Sequence, residues 1–298
     1  MENIIIPPIK IQGKKTQLVN WIKLNASGQN YCRFIEPFLG SGVVGFNIAG
    51  ERALFADSNP HIINFYKAVK SSEITPAIAK DFLERQGSIL ETEGQKHFNF
   101  IRDRFNETGE PLDFLFLNRA CFNGMIRFNR KLKFNVPYNH KPERFAPAYV
   151  TKIYNQIKNV QTLIWLNDWE FACQDFRQTI AEAGSQDFIY CDPPYIGRHV
   201  DYFDSWSEED EFDLHRLLVN SGSRFMVSTW HSNKYRQNAF LESLWKDCRI
   251  VTTKHFYHVG AKEENRNEVL EALIVNFDDE NVLPIKRQAT ARQLAIFE

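Results

Sequence analysis

The tetrapeptide Asp192-Pro-Pro-Tyr195 carries the residues best suited to chemistry, and it directly follows a strand-like run, Phe188–Cys191. Two prolines cannot continue a strand ladder, so the chain must leave the sheet stiffly at that point. There it presents a carboxylate, a backbone carbonyl and an aromatic face together. Asp192 and the Pro193 carbonyl can accept two N–H bonds from an exocyclic amine of a flat base, while Tyr195 stacks on its ring. The alternative is a proline-rich strand exit with a surface tyrosine.

A glycine turn, Phe38-x-Gly40-x-Gly42, stands between a short apolar strand and a helix. Glycines let the backbone approach a ligand closely, and the helix N-terminus adds N–H donors. The spacing differs from the dinucleotide pattern G-x-G-x-x-G, so a pyrophosphate is not specifically indicated. Asp57 ends the next strand and is placed to accept from ribose hydroxyls, so the two features together favour a nucleoside-containing ligand. The alternatives are a structural glycine turn and an aspartate that caps the following turn.

A basic region extends from Leu117 to Lys158, where nine lysines and arginines face one glutamate. Its core, Asn118–Tyr138, interleaves Arg, Lys and Asn with Phe and Tyr, a mixture that suits phosphate contacts, base-edge hydrogen bonds and stacking. Arg130-Lys131 lies between two alternating runs, which predicts a β-hairpin. The alternative is a solvated basic face, since charge runs are usually just that.

The length of 298 residues gives room for one large domain, or for one domain that carries a sizeable insertion. Lys+Arg 36 against Asp+Glu 37 excludes a uniformly basic nucleic-acid binder, although a locally basic one remains open. The five cysteines include no C-x-x-C pair, so we expect neither a disulfide framework nor a structural zinc site. We find no signal peptide or membrane span, and we expect a cytoplasmic protein with reduced thiols.

The remaining pattern predicts an open α/β sheet whose strands alternate with helices. Helices are predicted over Lys15–Lys23, Val43–Ile48 and Asn59–Val69, in the stretch Ile74–Phe116, and after the capping box Ser207-x-x-Asp210. Strands are predicted at Arg33–Pro37, Ala53–Ala56, Thr162–Leu166, Asp187–Cys191, Arg224–Ser228 and Leu270–Phe277. The opening Pro7–Lys15, in which lysines flank a glycine, is either a ligand-binding segment or an irregular N-terminal strap.

These pieces, in this order, resemble the Dam-like DNA adenine-N6 methyltransferases, the D12 class with α-type motif order, from about Pro8 to Phe277. The opening, Pro8–Thr16, looks closest to the EcoRV kind of restriction-system modification methylases. The resemblance implies S-adenosylmethionine as methyl donor and adenine N6 in double-stranded DNA as acceptor. It implies a Rossmann-like open methyltransferase sheet (residues 1–70 and 160–298) with an inserted helical and β-hairpin DNA-recognition domain (residues 71–159).

Residue by residue, the resemblance implies three sets of positions. The catalytic set is Asp192, Pro193, Pro194 and Tyr195. The cofactor-binding set is Ile11, which stands where many members have Trp, with Lys15, Phe38, Gly40, Gly42, Asp57 and Asp192. The DNA-binding set, which also draws on the basic region, is Lys10, Arg119, Phe122, Asn123, Arg127, Asn129, Arg130, Lys131, Asn135 and Tyr138. No metal is expected, and we expect a monomer in a restriction-modification or Dam-like role.

Three other functions compete with this interpretation. A methyltransferase acting on RNA adenine or on protein glutamine often carries Asn at the first position of the tetrapeptide, whereas this chain has Asp192. A catalytically inactive DNA-binding regulator has no reason to keep the set Asp192–Tyr195 intact. An NAD-dependent oxidoreductase lacks its dinucleotide fingerprint here. The aspartate and the basic insertion favour DNA.

Overall fold

Several strands of the sheet are short, largely buried runs, such as Arg33–Glu36 and Asp187–Cys191. A computed structural model describes residues 3–13, 15–129, 131–196, 206–256 and 268–278. Within these residues, seven strands form one sheet in the order β3–β2–β1–β4–β5–β7–β6. The strands are β1 (Arg33–Glu36), β2 (Arg52–Asp57), β3 (Asp168–Cys173), β4 (Asp187–Cys191), β5 (Arg224–Asn233), β6 (Arg249–Phe256) and β7 (Glu268–Val275). Neighbours among β1 to β5 are parallel, whereas β7 is antiparallel to β5 and β6. The predicted Rossmann-like open sheet is confirmed.

Ten α-helices occur in the described part of the chain. They are α1 (Val19–Ala26), α2 (Gly45–Ile48), α3 (Pro60–Lys70), α4 (Pro76–Glu93), α5 (Gln95–Thr108), α6 (Pro111–Ala120), α7 (Pro147–Leu166), α8 (Phe176–Ala181), α9 (Glu208–Asn220) and α10 (Phe240–Ser243). Side chains cap several of them; Asn59 accepts from the His61 amide at the start of α3. The predicted capping box is confirmed, because Ser207 and Asp210 bond reciprocally at the start of α9.

Helices α4 to α7 form the insertion between β2 and β3, and they pack against α3. Buried residues on α7 recur every three or four positions, at Val150, Ile153, Ile157, Val160 and Ile164. This spacing places them on one face of a helix. One hydrophobic cluster runs without interruption from the strands through α3 into these helices. The boundaries 71–159 for a separate recognition domain therefore stay a prediction.

The strand predicted at Thr162–Leu166 is wrong, because these residues form the last turn of α7. A short apolar run has the same composition in a buried strand and in a helix, so periodicity over a longer window decides. The true strand, β3, begins two residues later at Asp168 and pairs with β2 along its whole length. The first helix was also predicted too early, since Lys15 to Leu18 form a turn before α1.

The N-terminal segment, residues 3–13, forms an irregular strap that two asparagines hold in place. The Asn47 amide, on α2, exchanges two hydrogen bonds of 2.8 Å with the backbone of Ile5. The Asn118 amide, on α6, makes the same pair of 2.8 Å bonds with the backbone of Lys10. The strap thus connects the helix after the glycine turn with the insertion. In the described part of the chain, no helix has both the length and the apolar composition that a membrane crossing requires.

Candidate active site

The glycine turn is shaped by two residues in the left-handed region. Gly40 has φ of +50° and Gly42 has φ of +75°. A Cβ on Gly42 would lie 2.5 Å from the ring of Phe46, so a side chain there cannot be accommodated without movement. The turn lies at the carboxyl edge of the sheet because Leu39 donates its amide to the Ala56 carbonyl near the end of β2. The sequence therefore builds the turn where open α/β sheets bind ligands.

Asp57 holds the turn from the neighbouring strand. One carboxylate oxygen accepts from the Gly40 amide at 2.8 Å, and the other accepts from the Asn59 amide at 2.8 Å. Each carboxylate oxygen has a second lone pair, so Asp57 retains acceptor capacity for a ligand hydroxyl. Asp57 therefore stabilises the turn, as the capping alternative predicts, and it also lines the cavity described next.

A cavity of about 170 Å³ opens beside Asp57. Its walls include the rings of Phe38, Phe176 and Trp206, with Phe38 stacked on Phe176 at 5.3 Å between centroids and edge-on to Trp206 at 5.6 Å. Asp175 and Pro194 also line it, together with Pro37, Ser58, Arg177 and Asp210. Aromatic walls with acidic side chains at the edge suit a flat heterocycle that bears hydrogen-bond donors.

Three residues that line this cavity, Asp175, Phe176 and Trp206, were not predicted from the sequence. The first two follow β3, which was not predicted, so nothing marked them as residues of the carboxyl edge. Trp206 directly precedes the capping box of α9, and that position alone does not point to a cavity.

A second cavity, of about 90 Å³, lies between the strap and the glycine turn. Ile11 lines it from the strap and contacts Gly40, and Phe38 separates it from the larger cavity, since this ring lines both. Glu36 and Asp192 contribute carboxylates. The residues predicted for a cofactor thus converge: Ile11, Lys15, Phe38, Gly40 and Asp192 line this cavity, Asp57 lines the larger one, and Gly42 lies within the turn.

Lys15 and Asp192 form an ion pair at the centre of the site. The distance from Lys15 Nζ to Asp192 Oδ1 is 2.7 Å, and the lysine side chain is only 4% exposed. Burial raises the pKa of Asp192, and the positive charge of Lys15 opposes this rise. Lys15 therefore helps to keep the Asp192 carboxylate ionised and able to accept hydrogen bonds.

Glu36, at the end of β1, is a second buried carboxyl beside this pair. It is 2% exposed, and its Oε2 atom has no hydrogen-bond partner among the described residues. Burial raises the pKa of Glu36 well above its ordinary value, and the charge of Asp192 raises it further. A ligand that brings positive charge into this cavity would favour the ionised form of both carboxyls.

Tyr195 is anchored at both its ring and its hydroxyl. Lys15 Nζ lies 4.8 Å from the ring centroid, and the hydroxyl donates to Glu271 Oε2 at 2.5 Å. The ring packs against Trp230 and is 8% exposed. The alternative of a surface tyrosine is wrong, because the Tyr195 side chain is buried. Its ring lies against Lys15, which in turn pairs with Asp192.

The DNA-binding residues predicted near the start of the hairpin lie beside the strap. Phe122 is 48% exposed, and Asn123 follows it with φ of +53°. Gly124 has φ of +67°, and a Cβ there would lie 2.7 Å from Lys10 Cδ. The strap therefore lies directly against the segment that carries the exposed phenylalanine.

The predicted hairpin is confirmed by bridges between Phe128 and Phe134 and between Cys121 and Tyr138. Asn129 Oδ1 accepts from the amides of Lys131 and Lys133, which closes the turn. Inward residues alternate with exposed ones along the second arm. The buried members are Phe134, Val136 and Tyr138, and the exposed members are Lys133, Asn135 and Pro137.

Among the predicted DNA contacts of the hairpin, Arg127 and Asn135 pair with each other, since Arg127 Nε donates to Asn135 Oδ1 at 2.9 Å. Lys131 is exposed at the turn, and Arg130 lies outside the described residues. Tyr138 is 5% exposed and stacks on Phe98 at 5.2 Å, so as placed it supports the hairpin from inside. Direct contact of these residues with DNA stays a prediction.

Three cations gather where the strap, α6 and the hairpin meet. Arg119 is 7% exposed, and its Nε atom has no hydrogen-bond partner among the described residues. Burial and the nearby charge of Arg144 lower the pKa of Arg119 to about 10. Burial and the charges of Arg119 and Arg144 lower the pKa of Lys10 to about 8. Such mutual repulsion suits a cluster that receives an anion, as a DNA phosphate would provide.

Comparison with known proteins identifies the family. Residues 12–259 match the family described as D12 class N6 adenine-specific DNA methyltransferase. The chain belongs to this family. It is accordingly an adenine-specific DNA methyltransferase, and the resemblance drawn from the sequence is confirmed at this level.

Curated relatives agree with this assignment over most of the chain. The type II methyltransferase M.MjaIII of Methanocaldococcus jannaschii is 28% identical, and the match covers 91% of this chain and 99% of that protein. A DNA adenine methylase of Vibrio cholerae is 34% identical over 80% of this chain and 85% of its own length. A DNA adenine methylase of Haemophilus influenzae is 32% identical, with 90% and 93% covered. The narrower likeness to EcoRV-type enzymes stays a prediction.

Proposed function

We propose that this DNA adenine methyltransferase takes its methyl group from S-adenosylmethionine and transfers it to N6 of an adenine turned out of the double helix. The observation that carries the proposal is the ion pair of Lys15 with Asp192, which lines the smaller cavity and lies beside the ring of Tyr195.

The residues that line the two cavities suit S-adenosylmethionine in charge and in chemical character. Asp57, Phe176 and Trp206 offer an acceptor and aromatic walls for an adenosine. The smaller cavity offers two carboxyls, of which Glu36 has an unpartnered oxygen, and one buried lysine. S-adenosylmethionine carries an ammonium, a sulfonium and a carboxylate, so its net positive charge complements this set. When bound, it would supply the electrophilic methyl group, and the broken carbon–sulfur bond would leave a neutral thioether, S-adenosylhomocysteine. The amine that gains the methyl group would give up one proton along its hydrogen bond to Asp192.

The residues around Asp192 then prepare the amine. The lone pair of adenine N6 is delocalised into the ring, so the amine is a poor nucleophile. Asp192 and the Pro193 carbonyl would accept its two N–H bonds and localise the lone pair, while the Tyr195 ring stacks on the base. A carboxylate has about four acceptor sites, so Asp192 can bind the amine and Lys15 at once. Proximity and exclusion of water supply most of the acceleration.

DNA would be held by the hairpin and by the cluster of Lys10, Arg119 and Arg144. Turning the adenine out of the stack costs a few kcal/mol. Phe122 and Asn123, exposed beside the strap, would fill the space that the base leaves. Monomeric action and a cytoplasmic location stay predictions.

Transfer of labelled methyl from S-adenosylmethionine to unmodified duplex DNA tests the proposal. We expect label in N6-methyladenine, and Asp192→Ala should lower the rate by about 100-fold or more. Asp168→Ala is a matched control, because Asp168 is exposed at the opposite edge of the sheet. Label in RNA or protein but not in DNA, or full activity of Asp192→Ala, would refute the proposal. No transfer at all would favour the inactive regulator.

A further inference from the structure

Glu271 is a fully buried carboxylate on a strand that has a neighbour on each side. It is 0% exposed and lies on β7, where it stands opposite Trp230 of β5 and Thr253 of β6. The residues that follow it on β7 are apolar, Ala272 to Val275. Burying a carboxylate among apolar residues costs folding free energy unless the carboxylate is hydrogen-bonded. The hydrogen-bond partner of Glu271 therefore indicates the role of this residue.

The hydrogen bond from the Tyr195 hydroxyl at 2.5 Å provides such a partner. It joins positions 76 residues apart in the sequence, so no local turn accounts for it. A bond of an O–H to a carboxylate is short and about twice as strong as a neutral one. Trp230 packs in the same cluster as Tyr195, and the register of β5 shifts directly after Trp230. Bulges of this kind re-aim side chains beside active sites.

We propose that Glu271 is a positioning residue of the methyl transfer, which acts by fixing the Tyr195 ring where the target adenine must stack. This inference rests on the proposed function, in which Tyr195 receives the base. Pro193 and Pro194 stiffen the backbone before Tyr195, but they leave its side-chain torsions free. Glu271 holds the far end of the ring and Lys15 lies over its face, so the ring is held at two points.

The role predicts a loss confined to the chemical step. Glu271→Leu removes the carboxylate that accepts from the Tyr195 hydroxyl. The Tyr195 ring then loses this constraint on its position, and we expect kcat to fall by about 10- to 100-fold. The KM for S-adenosylmethionine and the Kd for DNA should stay within about twofold, because the residues proposed to bind the cofactor and the DNA phosphates are unchanged. Glu271→Gln, whose amide oxygen still accepts from the hydroxyl, should recover most of the rate. Tyr195→Phe should lower kcat by as much as Glu271→Leu does.

A double variant separates positioning from stability. Replacing both partners by apolar groups, in Tyr195→Phe with Glu271→Leu, removes the donor and the acceptor of this hydrogen bond together and should restore much of the thermal stability lost in the single variants. If Glu271 positions the ring, kcat of the double variant stays low and equals the larger single loss. Asp113→Asn is the matched control, because Asp113 is a buried carboxylate bonded to Arg104 on the insertion. It should cost stability but leave kcat unchanged.

Two results would overturn the inference. One is a kcat of Glu271→Leu within twofold of wild type; the other is a double variant that regains kcat together with stability, which indicates a purely structural pair. Failure of the proposed function gives a different result, because wild type would then transfer no methyl to DNA or Asp192→Ala would remain active.

Discussion

At the residue scale, the chemistry of the site depends on which charges are buried together. Asp192, Glu36 and Glu271 are three acids within one region, and Lys15 lies beside Asp192. The protonation of Asp192 and of Glu36 therefore depends on the charges beside them. Burial raises the pKa of Asp192, Glu271 raises it further, and Lys15 lowers it.

Removing the lysine should change the pH profile of the enzyme. In Lys15→Met, the pKa of Asp192 loses its main lowering influence and rises. Because the ionised carboxylate is the acceptor, the rate is lost as pH falls through this pKa, and the acid limb should move up by about 1–3 pH units. Single-turnover rates from pH 5 to 9 at saturating S-adenosylmethionine measure it. Lys80→Met, an exposed residue of α4, is the control. An unmoved acid limb contradicts the assignment.

Residues that stand in contiguous motifs could be predicted from the sequence, and their distant partners could not. The tetrapeptide, the glycine turn and Asp57 each follow a strand, so their convergence at one edge is a consequence of the fold. Glu271 escaped notice because its partner Tyr195 is far away in the sequence. One signal was available, since a lone glutamate in an apolar central strand needs a buried partner.

At the element scale, the glycine turn is the part most sensitive to substitution. Gly42→Ala places a methyl 2.5 Å from the Phe46 ring and at φ of +75°. We expect a loss of about 2–4 kcal/mol in the free energy of unfolding, from the left-handed backbone and the overpacking together. Urea denaturation measures the loss. Gly184→Ala, where a Cβ meets no atom within 4 Å, should be neutral. Equal stability of the two variants contradicts the steric argument.

The elements predicted well are those with a local start or stop signal. Asn59 and Ser207 mark the starts of α3 and α9 through their caps, and Asp187–Cys191 is bounded by a turn and two prolines. The strand wrongly placed at Thr162–Leu166 had neither signal. In α7 the buried residues from Val150 to Ile164 recur at helical spacing over about four turns, and this longer pattern outweighs the short apolar run.

At the scale of the whole molecule, charge is divided between two regions. The net charge of -1 is the sum of +8 over Leu117–Lys158 and −9 over the remainder. We expect the first region to bind phosphates and the second to repel DNA from the other surfaces. The net charge alone does not reveal this division. In the structure, Arg144 and the start of the hairpin lie beside Lys10 of the strap.

DNA binding should therefore depend steeply on salt, and the hairpin should contribute to the slope. In Arg127→Gln with Lys131→Gln, the slope of log K against log salt should fall by about 2, because each of the two cations would neutralise one phosphate. Fluorescence anisotropy with a short duplex between 50 and 200 mM salt gives the slope. The control pair Arg85→Gln with Lys96→Gln removes the same charge from exposed positions on α4 and α5. An equal change of the salt slope in both pairs of variants would indicate that DNA does not contact the hairpin.

The strap has a consequence for anyone who would redesign the specificity of this enzyme. Lys10 lies against Gly124 at the base of the hairpin, while Ile11 and Lys15 line the smaller cavity only a few residues later. A hairpin transplanted from a relative would thus pack against a lysine that belongs to the original hairpin. The exchangeable module is discontinuous, and a graft of the hairpin must bring the strap and Asn118 with it.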